Sequence, residues 1–156
     1  GGAAAAVAQA GMPHRRGRGA RVPALLAERG GRKPRIVASR RQSQTPAFQE
    51  MLGHLAGWSL YTGVTANPRV ETVEAIAAQY RRSGCDGFVA VGGGSPMDAA
   101  KAAAALIARP GRTVAQLGGL LKVRCRVPPL VAVPTTAGTG SETTIAAVVT
   151  GSAHQK

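Results

Sequence analysis

Short, mostly apolar runs alternate along this chain with longer stretches in which apolar residues recur every three or four positions. The runs are as long as typical β-strands and occupy residues 35–38, 58–61, 88–91, 130–133 and 145–149. The longer stretches predict helices at residues 22–30, 46–55, 70–82 and 98–108. This alternation predicts an α/β fold with a Rossmann-like, doubly wound and mainly parallel sheet. Trp58, in the second run, is expected in the core.

The run at residues 88–91 opens into the triplet Gly92-Gly93-Gly94. Ser95 is then predicted as the N-cap of the next helix, with Pro96 at its first position and Asp98 three residues after the cap. The first amides of a helix lack intrahelical partners, and glycines let a ligand approach them. The pattern therefore predicts a phosphate or pyrophosphate site, with a tight turn that binds nothing as the alternative.

The triplet is neither of the two common phosphate-binding fingerprints. Met97 stands where a dinucleotide fingerprint has its third glycine, and no Lys-Ser or Lys-Thr pair follows as in a P-loop. A second loop, which follows the run at residues 130–133, strengthens the binding interpretation. It carries two glycines and four hydroxyls, on Thr135, Thr136, Thr139 and Ser141.

Together the two loops resemble the iron-containing alcohol dehydrogenase family, within the dehydroquinate-synthase-like superfamily. The matching motifs are Gly92-Gly93-Gly94-Ser95-Pro96-Met97-Asp98-Ala99-Ala100-Lys101 and Pro134-Thr135-Thr136-Ala137-Gly138-Thr139-Gly140-Ser141-Glu142-Thr143-Thr144. The resemblance covers residues 22–156 and implies an NAD(P)-binding α/β domain. It also implies hydride transfer between an alcohol and a carbonyl compound, with a divalent metal, iron or zinc, in a helical second domain that is expected to be absent from this chain.

The resemblance assigns nucleotide contacts to individual positions. Gly93, Gly94 and Ser95 match the loop that holds the pyrophosphate, and Asp98 matches a contact to the nicotinamide-side ribose. For Asp98, completion of the helix cap is the alternative. The other matching positions are Asn67, Thr135, Thr136, Thr139 and Lys156.

The residues after the first predicted strand depart from the family pattern. The family usually places there an Asp that accepts hydrogen bonds from the adenine ribose, whereas this chain has Ser39 followed by Arg40 and Arg41. A carboxylate repels a 2′-phosphate, and a hydroxyl beside guanidinium groups attracts it. We therefore expect NADP to be preferred to NAD; the alternative is that both arginines are merely solvated.

The net charge of +13 is concentrated at the start of the chain. Ten of the twenty Lys and Arg lie in residues 1–41, against the single acid Glu28. Residues 1–21 are predicted to form a disordered basic arm. The arm contains no aromatic residues among its basic ones, and the chain shows no recognisable nucleic-acid-binding module. Nucleic-acid binding is therefore the weaker interpretation. A cytoplasmic protein is expected, and a mitochondrial or plastid one if the arm is the remnant of a transit peptide.

No catalytic or metal-ligating residue is predicted within the chain. His14, His54 and His154 stand alone, Cys85 and Cys125 lack metal-site spacing, and no run is long enough to span a membrane. The first residue is not Met, and a partial enzyme with little turnover of its own is expected. Its partners would be a nicotinamide dinucleotide and, in the full enzyme, a small alcohol, aldehyde or ketone. The sequence does not decide whether the protein forms an oligomer.

Three other interpretations stay open. Among enzymes, the chain could derive from a maleylacetate-reductase-like or a hydroxyacid–oxoacid transhydrogenase-like relative. Outside enzymes, it could be a truncated nucleotide-binding chain without catalysis, or a nucleic-acid-binding protein that acts through its basic arm.

Overall fold

A computed structural model describes residues 5–10, 16–111, 127–135 and 145–150, with side chains at 19–111 and 127–135. The strands are β1 Ala5–Ala10, β2 Pro34–Ala38, β3 Ser59–Tyr61, β4 Gly87–Val91, β5 Leu130–Val133 and β6 Ile145–Thr150. The helices are α1 Arg16–Glu28, α2 Arg40–Ser43, α3 Pro46–Leu52, α4 Val70–Arg82 and α5 Gly94–Ala108.

The described strands form one sheet in the order β1-β6-β5-β4-β2-β3. The four strands β3, β2, β4 and β5 pair in parallel with one another. The two remaining pairings, β5 with β6 and β6 with β1, are antiparallel. The predicted α/β class and mainly parallel sheet are confirmed, and the antiparallel direction of β6 is a feature that its apolar run could not indicate.

Helices cover both faces of the parallel strands. On one face, Val37 and Phe88 pack against α4 and α5, where Ala99, Ala100 and Ala103 are fully buried. On the other face, side chains of β2, β4 and β5 pack against α1 and α3. Because alternate strand residues supply the two faces, both sides of each strand are apolar, which is why the strands appear as continuous runs.

The amino-terminal region differs from its prediction as a disordered arm over residues 1–21. Ala5–Ala10 pairs with β6, and α1 begins at Arg16 rather than at residue 22. The helix continues through Pro23. Gly19 permits the close approach of α1 to α3, since a Cβ there would lie 3.0 Å from the Cα of Met51.

Two further predictions about elements were wrong. Trp58 is 41% exposed rather than buried, because it precedes the short edge strand β3 instead of lying within the sheet. The helix expected at residues 46–55 ends at Leu52, with Gly53 as its C-cap. The N-cap of that helix is Thr45, whose side chain accepts a hydrogen bond from the backbone N–H of Phe48.

A buried arginine stabilises the face beneath α4. Arg35 is only 3% exposed, and its guanidinium donates to the carbonyl of Ile76 at 3.2 Å and to the hydroxyl of Ser59 at 2.9 Å. The same group lies 5.7 Å from the centre of the Tyr61 ring. Burial lowers the pKa of Arg35. The two hydrogen-bond partners are 41 and 24 residues away in sequence, so the pattern of the chain alone did not reveal them.

A half-buried carboxylate joins the segment before β2 to the segment before β4. Oδ1 of Asp86 accepts hydrogen bonds from the backbone amides of Arg32 at 2.8 Å and Lys33 at 2.7 Å. The amide of Asp86 in turn donates to the carbonyl of Lys33 at 3.0 Å. These bonds fix the relative position of the amino ends of two adjacent strands.

Replacing Asp86 by Ala is expected to lower the free energy of unfolding by about 1–2 kcal/mol, because two backbone amides lose a charged acceptor. Urea denaturation followed by circular dichroism would measure the change. Glu74→Ala is the control, since it removes an exposed carboxylate from α4. Equal stabilities of the two variants would contradict the role given to Asp86.

No helix within the described part of the chain is long and apolar enough to cross a membrane.

Candidate functional site

The carboxyl ends of three parallel strands meet at one edge of the sheet. Ala38 pairs with Val91, and Val91 pairs with Val133. The residues that follow these strand ends, Ser39, Gly92 and Pro134, therefore lie at the same edge, which we call the carboxyl edge. A hydrogen bond of 3.0 Å from the amide of Gly92 to the carbonyl of Val133 holds β4 and β5 together there. Ligands of open α/β sheets bind at this edge.

The glycine turn between β4 and α5 leaves its backbone open. Gly92 is buried and has a φ of +128°, a conformation that favours glycine, and a Cβ there would lie 3.1 Å from Cγ of Pro96. Gly93 and Gly94 differ from it, because a Cβ on either would meet nothing within 4 Å. The backbone at Gly93 and Gly94 is thus accessible from outside the protein.

The start of α5 lies earlier than the sequence predicted. Gly93 is the N-cap and Gly94 the first helical residue, so the assignments of Ser95 as N-cap and Pro96 as first helical residue were wrong. The left-handed conformation of Gly92 turns the chain into the helix before Ser95 is reached. Among the described residues, no side chain makes a cap hydrogen bond at this helix start, Asp98 included. The described residues therefore leave the first amides of α5 without side-chain caps, in the arrangement that an anion requires.

Ser39 begins a short helix beside the glycine turn. Its hydroxyl oxygen accepts a hydrogen bond from the amide of Gln42 at 3.1 Å, which makes Ser39 the N-cap of α2. Ser39 is half-buried, and its backbone also forms an isolated bridge with Gly63. Arg40 and Arg41 are both exposed. The carboxyl edge therefore carries a hydroxyl and two cationic side chains next to the open turn.

The other predicted nucleotide contacts are only partly covered by the structure. Asn67 is exposed in the segment between β3 and α4, and Thr135 is half-buried two residues after β5. Both follow strands whose carboxyl ends lie at the same edge. Thr136, Thr139 and Lys156 lie outside the described residues.

The groups with shifted pKa values lie toward the opposite edge of the sheet. Burial raises the pKa of Tyr80 and of the Cys85 thiol, and both residues lie near the end of α4. Arg35 lies near the amino end of β2. At the carboxyl edge, backbone amides, a helix dipole and exposed guanidinium groups are the features that can attract an anion.

The described part of the chain does not supply a metal site. It contains no group of three or more His, Cys, Asp or Glu side chains that could hold a metal ion. His54 pairs with Glu50 at 3.5 Å, and both side chains are 40% exposed. His14 and His154 lie outside the described residues.

Sequence reasoning missed one side chain at the carboxyl edge. A Cβ on Gly92 would lie 3.6 Å from Cγ of Gln42, so the stem of Gln42 packs beside the glycine turn. The two residues are far apart in sequence, and no motif links them. The only available signal was the position of Gln42 three residues after the hydroxyl of Ser39, as expected of a capped turn.

Comparison with known proteins identifies a family that matches this chain. The family model for iron-containing alcohol dehydrogenases matches residues 13–156. A probable alcohol dehydrogenase of Escherichia coli (strain K12), EutG, is 46% identical over 91 residues, which are 58% of this chain and 23% of that protein.

Solved structures show the same fold. A 1,3-propanediol oxidoreductase superposes with a TM-score of 0.68 at 30% identity, over 90% of this chain and 39% of that chain. A sulfoacetaldehyde reductase from Bifidobacterium kashiwanohense, solved in complex with NAD+, superposes with a TM-score of 0.63 at 30% identity, over 81% of this chain and 34% of that chain.

The chain thus spans well under half the length of each of these relatives. The residues that the family model matches include the parallel strands, the glycine turn and the helix that follows it. Since that model covers almost all of the sequence, the chain belongs to the iron-containing alcohol dehydrogenase family.

Proposed function

We propose that residues 22–156 bind the nicotinamide dinucleotide of an enzyme that interconverts an alcohol and a carbonyl compound, with NADP preferred to NAD. The observation that carries the proposal is the open backbone of Gly93 and Gly94 at the uncapped start of α5. A dinucleotide is the ligand class that combines a pyrophosphate with a ribose reaching the neighbouring strand end.

The pyrophosphate is assigned to the glycine turn. Helix amides without partners donate hydrogen bonds, and the helix dipole adds a partial positive charge of about half an elementary charge at this end. Because a Cβ on Gly93 or Gly94 would meet nothing within 4 Å, phosphate oxygens can reach the backbone directly. Ser95 lies in the first turn of α5, and its hydroxyl would donate to the same phosphates.

The adenine-side ribose is assigned to the end of β2. Ser39 and the exposed Arg40 directly follow β2, the strand next to the one that leads into the glycine turn. A guanidinium pairs with a phosphate through two parallel hydrogen bonds, and no carboxylate follows β2 to repel it. The 2′-phosphate of NADP would therefore be bound more tightly than the 2′-hydroxyl of NAD.

The nicotinamide-side ribose is assigned to Asp98 and Lys156, whereas Thr135, Thr136 and Thr139 are assigned to the adenosine and phosphate side. Asp98 is exposed near the start of α5 and can accept a hydrogen bond from a ribose hydroxyl. Asn67 and Thr135 follow the neighbouring strand ends. Thr136, Thr139 and Lys156 complete the proposed set.

The chemistry of the full enzyme would be hydride transfer between the nucleotide and the carbon that bears the alcohol or carbonyl oxygen. The resemblance implies a metal that polarises that oxygen. The described residues contain no group that could hold this metal, and the role proposed for them is nucleotide binding. We expect it to show little or no turnover by itself.

Gly93→Val is expected to weaken binding of both NADP and NAD by at least about tenfold, because the added methyl groups fill the space intended for phosphate. A Cβ on Gly93 meets nothing within 4 Å, but its φ of −86° and ψ of −149° lie outside the regions that valine prefers, so the unfolding midpoint of the variant has to match that of the wild type before affinities are compared. Isothermal titration calorimetry with each nucleotide would measure the effect.

Ala27→Val is the matched control, since it introduces the same side chain at an exposed position near the end of α1. It should bind both nucleotides as the wild type does. The proposal would be refuted if the folded wild-type chain gave no binding heat with oxidised or reduced nucleotides, or if Gly93→Val bound them unchanged.

A further inference from the structure

Gln42 connects the two parts of the carboxyl edge. It belongs to α2, which begins at the proposed 2′-phosphate residues, and its stem packs against the glycine turn, with Cγ 3.6 Å from a Cβ built on Gly92. Its side chain therefore lies between the end of β2 and the end of β4. A dinucleotide that spans these two strand ends must pass this side chain.

The backbone of Gln42 is held in place by neighbouring hydroxyls. Its amide donates to the hydroxyl oxygen of Ser39 at 3.1 Å, and its carbonyl accepts from the hydroxyl of Thr45 at 2.9 Å. The same carbonyl accepts from the amide of Thr45 at 3.2 Å. Both backbone groups of Gln42 are thus engaged, which fixes the point from which its side chain extends.

The carboxamide of Gln42 takes no part in this network. The side chain is half-buried, and its carboxamide makes no hydrogen bond with any residue that the structure describes. A carboxamide on a packed stem, without a hydrogen bond to any described residue, can donate to a ligand without first breaking a bond within the protein.

We propose that Gln42 is a nucleotide-binding residue that donates from its carboxamide to the part of the dinucleotide shared by NAD and NADP. This inference rests on the proposed function. A neutral amide adds hydrogen bonds to phosphate or ribose oxygens without adding charge. Gln42 therefore contributes to affinity for both nucleotides, whereas Arg40, two residues earlier, contributes to the choice between them.

Gln42→Met tests the assignment, because methionine keeps an unbranched stem against Gly92 and removes the carboxamide. We expect the dissociation constants for NADP and NAD to rise by the same factor, roughly tenfold or more, with an unchanged unfolding midpoint. Gln44→Met, at the exposed C-cap of the same helix, is the control and should bind like the wild type. Titration calorimetry on the 156-residue chain gives the dissociation constant of each variant for each nucleotide.

Gln42→Glu provides a second variant of the same shape, in case Met disturbs the turn. Its carboxylate would face the phosphates, so this variant should bind both nucleotides more weakly than Gln42→Met does. Wild-type affinity in both variants would overturn the inference and leave the proposed function intact. A loss confined to NADP would overturn it as well, because it would assign Gln42 to the 2′-phosphate. Failure of the wild type to bind either nucleotide would overturn the proposed function and this inference together.

Discussion

Replacing Ser39 by Asp is expected to reverse the nucleotide preference of this chain, lowering its affinity for NADP by about a hundredfold while leaving that for NAD within a few-fold. Two unit charges at a protein surface about 4 Å apart interact by about 4 kcal/mol, so a carboxylate placed beside a 2′-phosphate can produce a change of this size. NAD has only hydroxyls at that ribose, and the carboxylate accepts hydrogen bonds from them.

The substitution is well suited to the position because Ser39 is the N-cap of α2. Its hydroxyl oxygen accepts a hydrogen bond from the amide of Gln42, and Asp is as good an N-cap as Ser. The charge at the ribose site can therefore be changed with the local backbone kept. Ser39→Asn is the matched control, since it supplies a cap of the same shape as Asp without the charge.

Titration calorimetry with NADP and NAD on the wild type and both variants gives the ratio of the two affinities. We expect a ratio that favours NADP in the wild type and in Ser39→Asn, and one that favours NAD in Ser39→Asp. Two results would refute the proposed role of this strand end: wild-type binding of NAD as tight as that of NADP, or the same ratio in Ser39→Asp as in Ser39→Asn.

The strongest periodic pattern of the sequence predicted the position of its helix correctly. Helix α4 occupies Val70–Arg82, the same residues that the spacing of Val73, Ile76 and Tyr80 predicts. It also ends as its sequence suggests: Gly84 has a φ of +70°, and the amide of Cys85 donates to the carbonyl of Tyr80 at 3.0 Å. Local patterns suffice here because both the apolar face and the stop signal lie within the element or directly after it.

Local patterns failed where a contact distant in sequence decides the structure. The start of α5 depends on the conformation of Gly92, which packs beside Pro96 and Gln42. The burial of Arg35 depends on acceptors supplied by Ile76 and Ser59. A charged side chain in an apolar run gives no sign of which partners will satisfy it.

In the candidate site, too, local sequence predicts some features and contacts between distant residues determine others. The glycine triplet indicated an accessible phosphate-binding turn, and its position at the carboxyl edge follows from the order of strands and helices. The packing of Gln42 against this turn is a tertiary contact between residues distant in sequence, so the sequence did not reveal it. Sequence alone thus predicted the edge and several candidate residues, whose binding roles stay predictions, but not the contact of Gln42 with the glycine turn.

Phe88→Ala is expected to destabilise the fold more than any other substitution proposed above, lowering the free energy of unfolding by about 3–5 kcal/mol. Phe88 is fully buried in β4, and its ring stacks on that of Tyr80 with centroids 4.6 Å apart. Truncation removes this contact and leaves a cavity between the sheet and α4. For a domain whose total stability is typically about 5–15 kcal/mol, such a loss is a large fraction.

Trp58→Ala is the informative comparison, because the apolar pattern of the sequence placed both aromatics in strands and both in the core. In the structure Trp58 is 41% exposed, whereas Phe88 is 0% exposed. Truncating the larger Trp58 side chain should therefore cost less than about 1 kcal/mol. Urea denaturation of the two variants would measure the loss in free energy of unfolding for each. Equal losses for Trp58→Ala and Phe88→Ala would show that Trp58 is packed in the core, as the sequence pattern predicted. The structure predicts the opposite order because the free energy follows the area removed from water, and the size of the side chain alone does not determine that area.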